Sequence, residues 1–180
     1  MHRIAASMHG MYRDVLENSK GEVLHDSGWR ANTIVDGCRL LLAGFMKNDA
    51  SQGLQKLYVG EGKEEWDTQW DDNPAPAPAP VTTEGLENPY STGVVLKKAD
   101  IDYLDGSDKP VLSPTNRIQI KVKLEPGYPA PLAPLKTYPL REFGLFGVFD
   151  GKEFMVNCIR HPVIHKDASS TLYRIVRLYF

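Results

Sequence analysis

The stretch LREFGLFGVFDGKEFMVNCIRH, residues 140–161, contains two apolar runs on either side of Asp150-Gly151. An Asp-Gly pair between two such runs is typical of a tight β-hairpin turn, because both residues tolerate a positive φ. Gly144 and Gly147 in the first run would allow a neighbouring backbone to approach closely or a bulge to form. The stretch therefore predicts an apolar β-hairpin.

Most of the remaining chain also carries strand patterns. Residues 11–27 predict a second hairpin around the turn Asn18-Ser-Lys-Gly21, and LQKLYVGEG, residues 54–62, predicts a buried strand that runs into a glycine turn. In RIQIKVKL, residues 117–124, apolar and polar residues alternate strictly, as in a strand with one buried face. Further strands are predicted at 94–97, at 101–104 and, with imperfect alternation, at 170–180.

One segment, TIVDGCRLLLAGFM at residues 33–46, has helical rather than strand periodicity. Thr33, with Asp36 three residues later, would cap the start of this helix, and Asn48 would end it. Its apolar residues form one continuous predicted stripe, consisting of Ile34, Val35, Cys38, Leu41, Leu42, Phe45 and Met46.

Gly37 and Gly44 lie inside this helix, where each costs about 1 kcal/mol relative to alanine. We therefore expect a neighbouring element to pack closely against both glycines. Together the patterns predict an α+β fold that is mainly β, with antiparallel sheets or a sandwich and one packed α-helix at about residues 32–47.

The length and composition fit one domain over residues 1–180, with a proline-rich arm inserted at about 71–92. The net charge of −2 gives no field that would attract nucleic acid, and the sequence predicts no membrane insertion. Two cysteines, Cys38 and Cys158, are too few for a disulfide framework and are predicted to be reduced core residues made in a cytosol.

The arm contains alternating Pro and Ala at residues 74–80, which favours polyproline II conformation over about 20 Å. Trp66 and Trp70 immediately precede it. Such a stiff segment would lie along a neighbouring molecule at little entropic cost, with the two tryptophans as anchors. A solvated surface loop is the alternative.

No group of residues predicts catalysis or metal binding. His161 and His165 lie in extended chain, where residues four apart are separated by roughly 13 Å, too far to share a metal ion with Asp167. Cys158 and His161 would point to opposite faces of a strand, and the acidic residues between 64 and 72 predict a solvated loop. The sequence therefore predicts a protein that is not an enzyme and has no metal or cofactor.

Five segments occur in an order that resembles a family of small structural proteins of phage-type tails, found at the tail tip or baseplate and at the root of tail fibres. Collar-type domains at the base of tail fibres are a looser likeness. The segments are GWRANTIVDGCRLLLAGFM (28–46), LQKLYVGEG (54–62) followed by Trp66-Asp67, PTNRIQIKVKL (114–124), LREFGLFG (140–147) and RHPVIHKDASSTLYRIVRLYF (160–180).

The resemblance implies a baseplate component or tail-fibre adaptor that acts by protein–protein assembly in the virion tail, after synthesis and assembly in the bacterial cytoplasm. It also implies a homo-oligomer, with a trimer favoured, and contacts with other tail, baseplate or fibre proteins. The sequence has no repetitive shaft after the root-like region, which favours an adaptor over a whole fibre. The predicted interface residues are Trp66, Trp70, Arg141, Glu142, Phe143 and Phe146.

The alternative function is a receptor- or glycan-binding module of the tail. In that case Tyr58, Trp66, Trp70 and Tyr90 would form a surface on which sugars stack.

Overall fold

The computed structural model describes residues 8–49, 51–67, 76–90, 92–129 and 137–180. Within these ranges the chain forms one α-helix, two short 3₁₀ helices and eleven strands. The α-helix is α1 (Asp36–Met46), and the 3₁₀ helices are Glu64–Asp67 and Lys98–Asp100. The strands are β1 (His9–Glu17), β2 (Val23–Asp26), β3 (Arg30–Ile34), β4 (Ser51–Gly60), β5 (Val94–Val95), β6 (Ile101–Leu104), β7 (Pro110–Val111), β8 (Arg117–Leu124), β9 (Thr137–Phe149), β10 (Lys152–Asp167) and β11 (Thr171–Tyr179).

All strand pairs are antiparallel, and they join into one sheet. The strand order is β5-β4-β9-β10-β3-β1-β11-β8-β6-β7, with β2 also paired to β1. β1 and β11 pair along their whole length, from His9 with Tyr179 to Glu17 with Thr171. The prediction of a mainly β, antiparallel fold with one packed helix is confirmed.

The opening stretch forms the β9–β10 hairpin as predicted. Asp150 and Gly151 have φ angles of 48° and 72°, so both residues of the turn adopt the left-handed conformation. β10 continues beyond His161 to Asp167. The register shifts between Arg160 and Ile164, so Pro162, which has no N–H to donate, falls within a bulge.

The short strand β3 connects two halves of the sheet. It pairs with β1 through residues 30–32 and with β10 through Thr33 and Ile34. The half that contains β9 and the half that contains β11 then face each other across a shared core, in which the Tyr12 and Phe143 rings meet edge to face at 5.6 Å. This arrangement corresponds to the predicted sandwich, built here from one continuous sheet.

Strand β11 alternates regularly between core and exterior along its whole length. The alternation looked imperfect in the sequence because Arg174 occupies one of the core positions between Leu172 and Val176. A buried arginine therefore takes the place of an apolar residue.

Helix α1 begins later than predicted. Residues 30–34 belong to β3, and the N-cap is Val35, which has no side chain that can cap, so the predicted Thr33 cap is wrong. The predicted end agrees better, because the helix stops at Met46 and Asn48 adopts a φ of 61°.

Each of the two helical glycines is in close contact with the β9–β10 hairpin, as predicted. A Cβ added at Gly37 would lie 2.2 Å from the carbonyl oxygen of Met155, and one at Gly44 would lie 2.3 Å from the Phe149 ring. The absence of side chains at both positions lets α1 lie directly against the β9–β10 hairpin.

Candidate functional site

Arg141, in the middle of β9, is buried and binds a segment that is distant in sequence. Its Nε donates to Oδ1 of Asp67 at 3.0 Å and its Nη2 donates to Oδ2 at 2.7 Å, while Nη1 donates to the Glu61 carbonyl oxygen at 3.2 Å. The hydrogen bonds with Asp67 raise the pKa of Arg141. Asp67 is thus an ion-pair partner rather than part of a fully solvated loop, and the pair holds the 3₁₀ helix against β9.

Glu142, the next residue, holds a second segment. Its carboxylate accepts hydrogen bonds from the backbone N–H groups of Glu87 at 3.0 Å and Asn88 at 2.7 Å. Burial raises its pKa, although these two hydrogen bonds act in the opposite direction. A Cβ at Gly60 would lie 2.4 Å from Glu142 Oε1, so the approach requires a glycine there. Arg141 and Glu142 thus bind other parts of the chain and not each other.

Trp66 is buried between β10 and a glycine turn. The guanidinium of Arg160 lies 4.8 Å from its ring centre, and Gly62, with a φ of 63°, lies against the ring. Trp66 therefore anchors the segment that precedes the arm to its own chain.

The remaining predicted interface residues differ in position. Phe143 has no exposed surface and packs against Tyr12 and beneath Arg174, whose guanidinium lies 4.0 Å from the ring centre. Phe146 is half-buried and meets Tyr58 edge to face at 5.0 Å. Trp70 lies outside the described residues.

The LREFGLFG segment is therefore an internal strand, and the prediction that it faces a partner molecule needs correction. It is paired on one side with β4 and on the other with β10, so its backbone has no free edge from Glu142 to Phe149. Trp66, Arg141, Glu142 and Phe143 are all buried within the chain.

The described part of the proline-rich arm, residues 76–90, lies on its own sheet. Ala79 is buried with Val35, Met155 and Cys158, and the backbone N–H of Asp36 donates to the Val81 carbonyl oxygen at 2.8 Å. Residues 76–81 therefore pack on their own chain, and are neither an arm that lies along a neighbouring molecule nor a solvated loop. Residues 71–75 and 91 of the predicted insertion lie outside the described ranges.

A buried polar cluster at the centre of the core was not anticipated. Arg174 Nε lies 3.2 Å from Oδ1 of Asp14, and both side chains are almost completely buried. Arg174 Nη2 also donates to His161 Nε2 at 2.7 Å, while His161 Nδ1 lies 2.8 Å from the Pro162 carbonyl oxygen. This geometry makes Nδ1 the donor and leaves the imidazole neutral.

The electrostatics of the cluster follow from burial. Desolvation lowers the pKa of His161 well below its usual value, and the Arg174 charge lowers it further. Desolvation also raises the pKa of Asp14 and lowers that of Arg174, although the two charges partly oppose these shifts. The only sequence sign of the cluster is an arginine at a core position of an otherwise alternating strand.

Cys158 and His161 do not come together as a nucleophile and base. Cys158 packs on the side of β10 that faces Ala79, whereas His161 contacts Tyr12 and Phe143 in the main core, so thiol and imidazole are separated by the sheet, as the sequence predicted. Among the residues that the structure describes, no three His, Cys, Asp or Glu side chains come together in a way that could hold a metal ion.

The predicted sugar-binding aromatic residues do not form an open platform. Trp66 and Tyr90 are buried, and the Tyr58 hydroxyl donates to Glu153 Oε2 at 3.1 Å while its ring packs on Phe146. Trp70 again lies outside the described ranges.

An apolar groove of about 500 Å³ opens where α1 crosses one end of the sandwich. The predicted apolar stripe of α1 is buried only in its first half, and Leu42, Phe45 and Met46 are 39%, 53% and 87% exposed. Leu42 and Phe45 form the helical wall of the groove. Its opposite wall is formed by residues of β4, β6, β8 and β11, including Leu54, Ile101, Tyr103, Ile118 and Leu178, and by Phe180.

No family model matches this chain, and no curated protein or solved structure matches it significantly. Within the described ranges, no helix is long and apolar enough to cross a membrane. The likeness to tail proteins thus remains a prediction from the order of sequence segments.

Proposed function

We propose that this chain is a structural component of a phage or phage-like tail, either in the baseplate or at the attachment point of tail fibres, and that it acts by assembly without catalysis. The order of its five tail-like segments supports this role. The contacts of the most distinctive segment are consistent with it, because Arg141 and Glu142 use their charges to hold other parts of the chain in place.

The observation that carries the proposal is the apolar groove beside α1. Phe45 and Met46 expose large apolar side chains next to a concave apolar surface, an arrangement typical of protein–protein contact sites. We place the contact between copies of this chain there, rather than on the LREFGLFG strand, and favour a trimer by resemblance to fibre roots.

The ends of the sheet also favour contact through side chains. The outermost strands, β5 and β7, contain two residues each, so these two strands offer little free backbone for a neighbouring strand to pair with. We therefore favour side-chain surfaces such as the groove, although residues 121–124 of β8 extend past its pairing with β6. Other tail, baseplate or fibre proteins would provide the remaining contacts in the virion.

Light scattering across a dilution series tests this proposal. We expect a stable species near three times 20.1 kDa, and we expect Phe45→Glu to reduce its mass because the substitution puts a charge into the apolar contact. Leu24→Glu is the matched control, since Leu24 is equally exposed on β2 and does not line the groove.

Two results would count against the assembly surface. One is a monomeric mass for the unmodified protein at every concentration. The other is a Phe45→Glu protein that keeps both the oligomeric mass and the circular dichroism spectrum of the original.

A further inference from the structure

One end of the sheet has two edges that no strand covers in the described part of the chain. The strands at this end lie in the order β2-β1-β11-β8, and one row of paired residues across them consists of Asp26, Val15, Tyr173 and Lys123. Among the strands described, β2 pairs only with β1. On the other side, the pairing of β8 with β6 ends at Ile120, so residues 121–124 have no partner strand there.

The edge of β2 exposes both backbone and apolar side chains. The Ser27 N–H donates to the Asp14 carbonyl oxygen at 2.9 Å. Because backbone groups alternate in direction along a strand, those of Leu24 and Asp26 point away from β1. All four residues of β2 are exposed, and Val23 and Leu24 are 58% and 56% exposed. Such an edge pairs readily with another chain.

The edge of β8 has its free backbone groups at two lysines. The Phe180 N–H donates to the Asn116 carbonyl oxygen at 2.9 Å, and β8 pairs with β11 from there without a bulge. By the same alternation, the backbone groups of Lys121 and Lys123 point away from β11. No backbone hydrogen bond joins this edge to the preceding 3₁₀ helix (Lys98–Asp100) among the residues described.

The two edges match in direction, length and charge. β1 and β8 both pair antiparallel with β11, so they run in the same direction, whereas β2 runs antiparallel to β1. In a second copy of the same orientation, β2 would therefore lie antiparallel to β8. Each edge contains four residues. Residues 22–26 contain two carboxylates and no Lys or Arg, whereas residues 121–124 contain two lysines and no carboxylate.

We propose that copies of this chain join head to tail at these edges, with β2 of one copy paired antiparallel to residues 121–124 of the next. The inference rests on the proposed assembly of copies and adds a backbone contact to the contact at the groove. The register that pairs all four residues of both edges puts Leu24 opposite Lys123 and Asp26 opposite Lys121. The Asp26 carboxylate, which binds Arg13 within its own chain, then also faces the Lys121 ammonium group.

The contact uses two different surfaces, so each copy provides one edge and receives the other. Repeated by rotation, such a contact closes into a ring, and three copies would form the favoured trimer. Closure leaves neither edge open to aggregation. In this register Leu24→Glu puts a carboxylate opposite Lys123, so that variant remains a suitable control for the groove.

Disulfide cross-linking of a Leu24→Cys/Lys123→Cys double variant tests the pairing. Opposite residues of a hydrogen-bonded antiparallel pair have Cα atoms about 5.5 Å apart, which a disulfide can span. On mild oxidation we expect a covalent trimer near three times 20.1 kDa, which a reducing agent converts back to single chains. The original protein should not cross-link, because Cys38 and Cys158 are buried.

The matched control is Leu24→Cys/Val95→Cys, because Val95 is 62% exposed but lies on β5, at the far end of the strand order. It should cross-link at least about tenfold less, since only thiols that the contact holds together react at a high effective concentration. Equal yields from the two double variants overturn the proposal. Equal yields from Leu24→Cys alone also overturn it, because β2 would then pair with itself.

Two further outcomes separate the parts of the inference. Covalent products of more than three copies support pairing of the edges but overturn closure into a trimer. Light scattering on the same samples distinguishes this inference from the proposed function. An oligomeric mass without the cross-link overturns only the edge pairing, whereas a monomeric mass at every concentration overturns the groove contact as well.

Discussion

Replacing Arg174 with Met should lower the free energy of unfolding by about 3–5 kcal/mol, because it removes the counter-ion of a carboxylate in the core. Arg174 and Asp14 are both almost completely buried, with Nε and Oδ1 3.2 Å apart. Methionine keeps most of the length of the side chain, so the lost charge dominates the effect. With an m-value of about 2 kcal/mol per molar urea, the midpoint of unfolding should fall by about 2 M.

The double variant Asp14→Leu/Arg174→Met separates charge from packing. Because it removes both buried charges together, its stability should return to within about 1 kcal/mol of the original or exceed it. Lys121→Met provides a control on the neighbouring strand β8, since its ion pair with Asp102 is exposed and should contribute at most about 1 kcal/mol.

The stability lost in the Arg174→Met variant should also depend on pH. Burial raises the pKa of Asp14 in the folded protein, so folding favours its protonated form and the corresponding stability is lost as pH rises above the usual aspartate pKa. Without Arg174 this pKa rises further, so the deficit of the single variant should grow as pH rises above the usual aspartate pKa. A single variant that loses less than about 1 kcal/mol at pH 8, or a double variant that loses as much as the single one, would refute this reasoning.

Two further predictions concern the core and the helix. Because burial lowers the pKa of His161, the stability it contributes is present above its usual pKa of 6.5 and is lost as pH falls below that value, by up to about 1.4 kcal/mol per pH unit. His161→Gln should flatten the urea-midpoint profile between pH 5 and 6.5, whereas a similar flattening by the exposed His165→Gln would contradict the assignment. Gly37→Ala should cost about 1–3 kcal/mol and lower the melting temperature, because its Cβ meets the Met155 carbonyl oxygen, whereas Gly85→Ala, which has open space around it, should change little. Equal melting temperatures of the two alanine variants would show that α1 does not pack as closely as described.

Local features of the sequence predicted the strands well. The alternation in residues 117–124 and the turn at Asp150-Gly151 depend on neighbouring residues only, and both appear as expected in β8 and the β9–β10 hairpin. The start of α1 was predicted too early because residues 32–34 fit a helical pattern by themselves. Their hydrogen bonds to β1 and β10, which are distant in sequence, decide in favour of a strand.

The sites were harder to predict for the same reason. Periodicity identified Leu42 and Phe45 as part of an apolar stripe, but it could not show that the sheet leaves the second half of that stripe uncovered. Likewise, the apolar character of LREFGLFG predicted a contact surface without indicating whether the contact lies inside the chain.

The pairing of β1 with β11 has a consequence for synthesis. The nine-residue ladder joins His9 to Tyr179, so the β1-β11-β8 half of the sheet cannot close on a ribosome-bound nascent chain until residues 171–179 have emerged from the exit tunnel. During that interval β1 and β8 both lack their shared partner, and each exposes an unpaired backbone edge that can pair with other chains. The hairpin β9–β10, whose contacts are local, can form earlier and bury its apolar residues first. Slow translation or early termination just before residue 171 would therefore favour aggregation over folding.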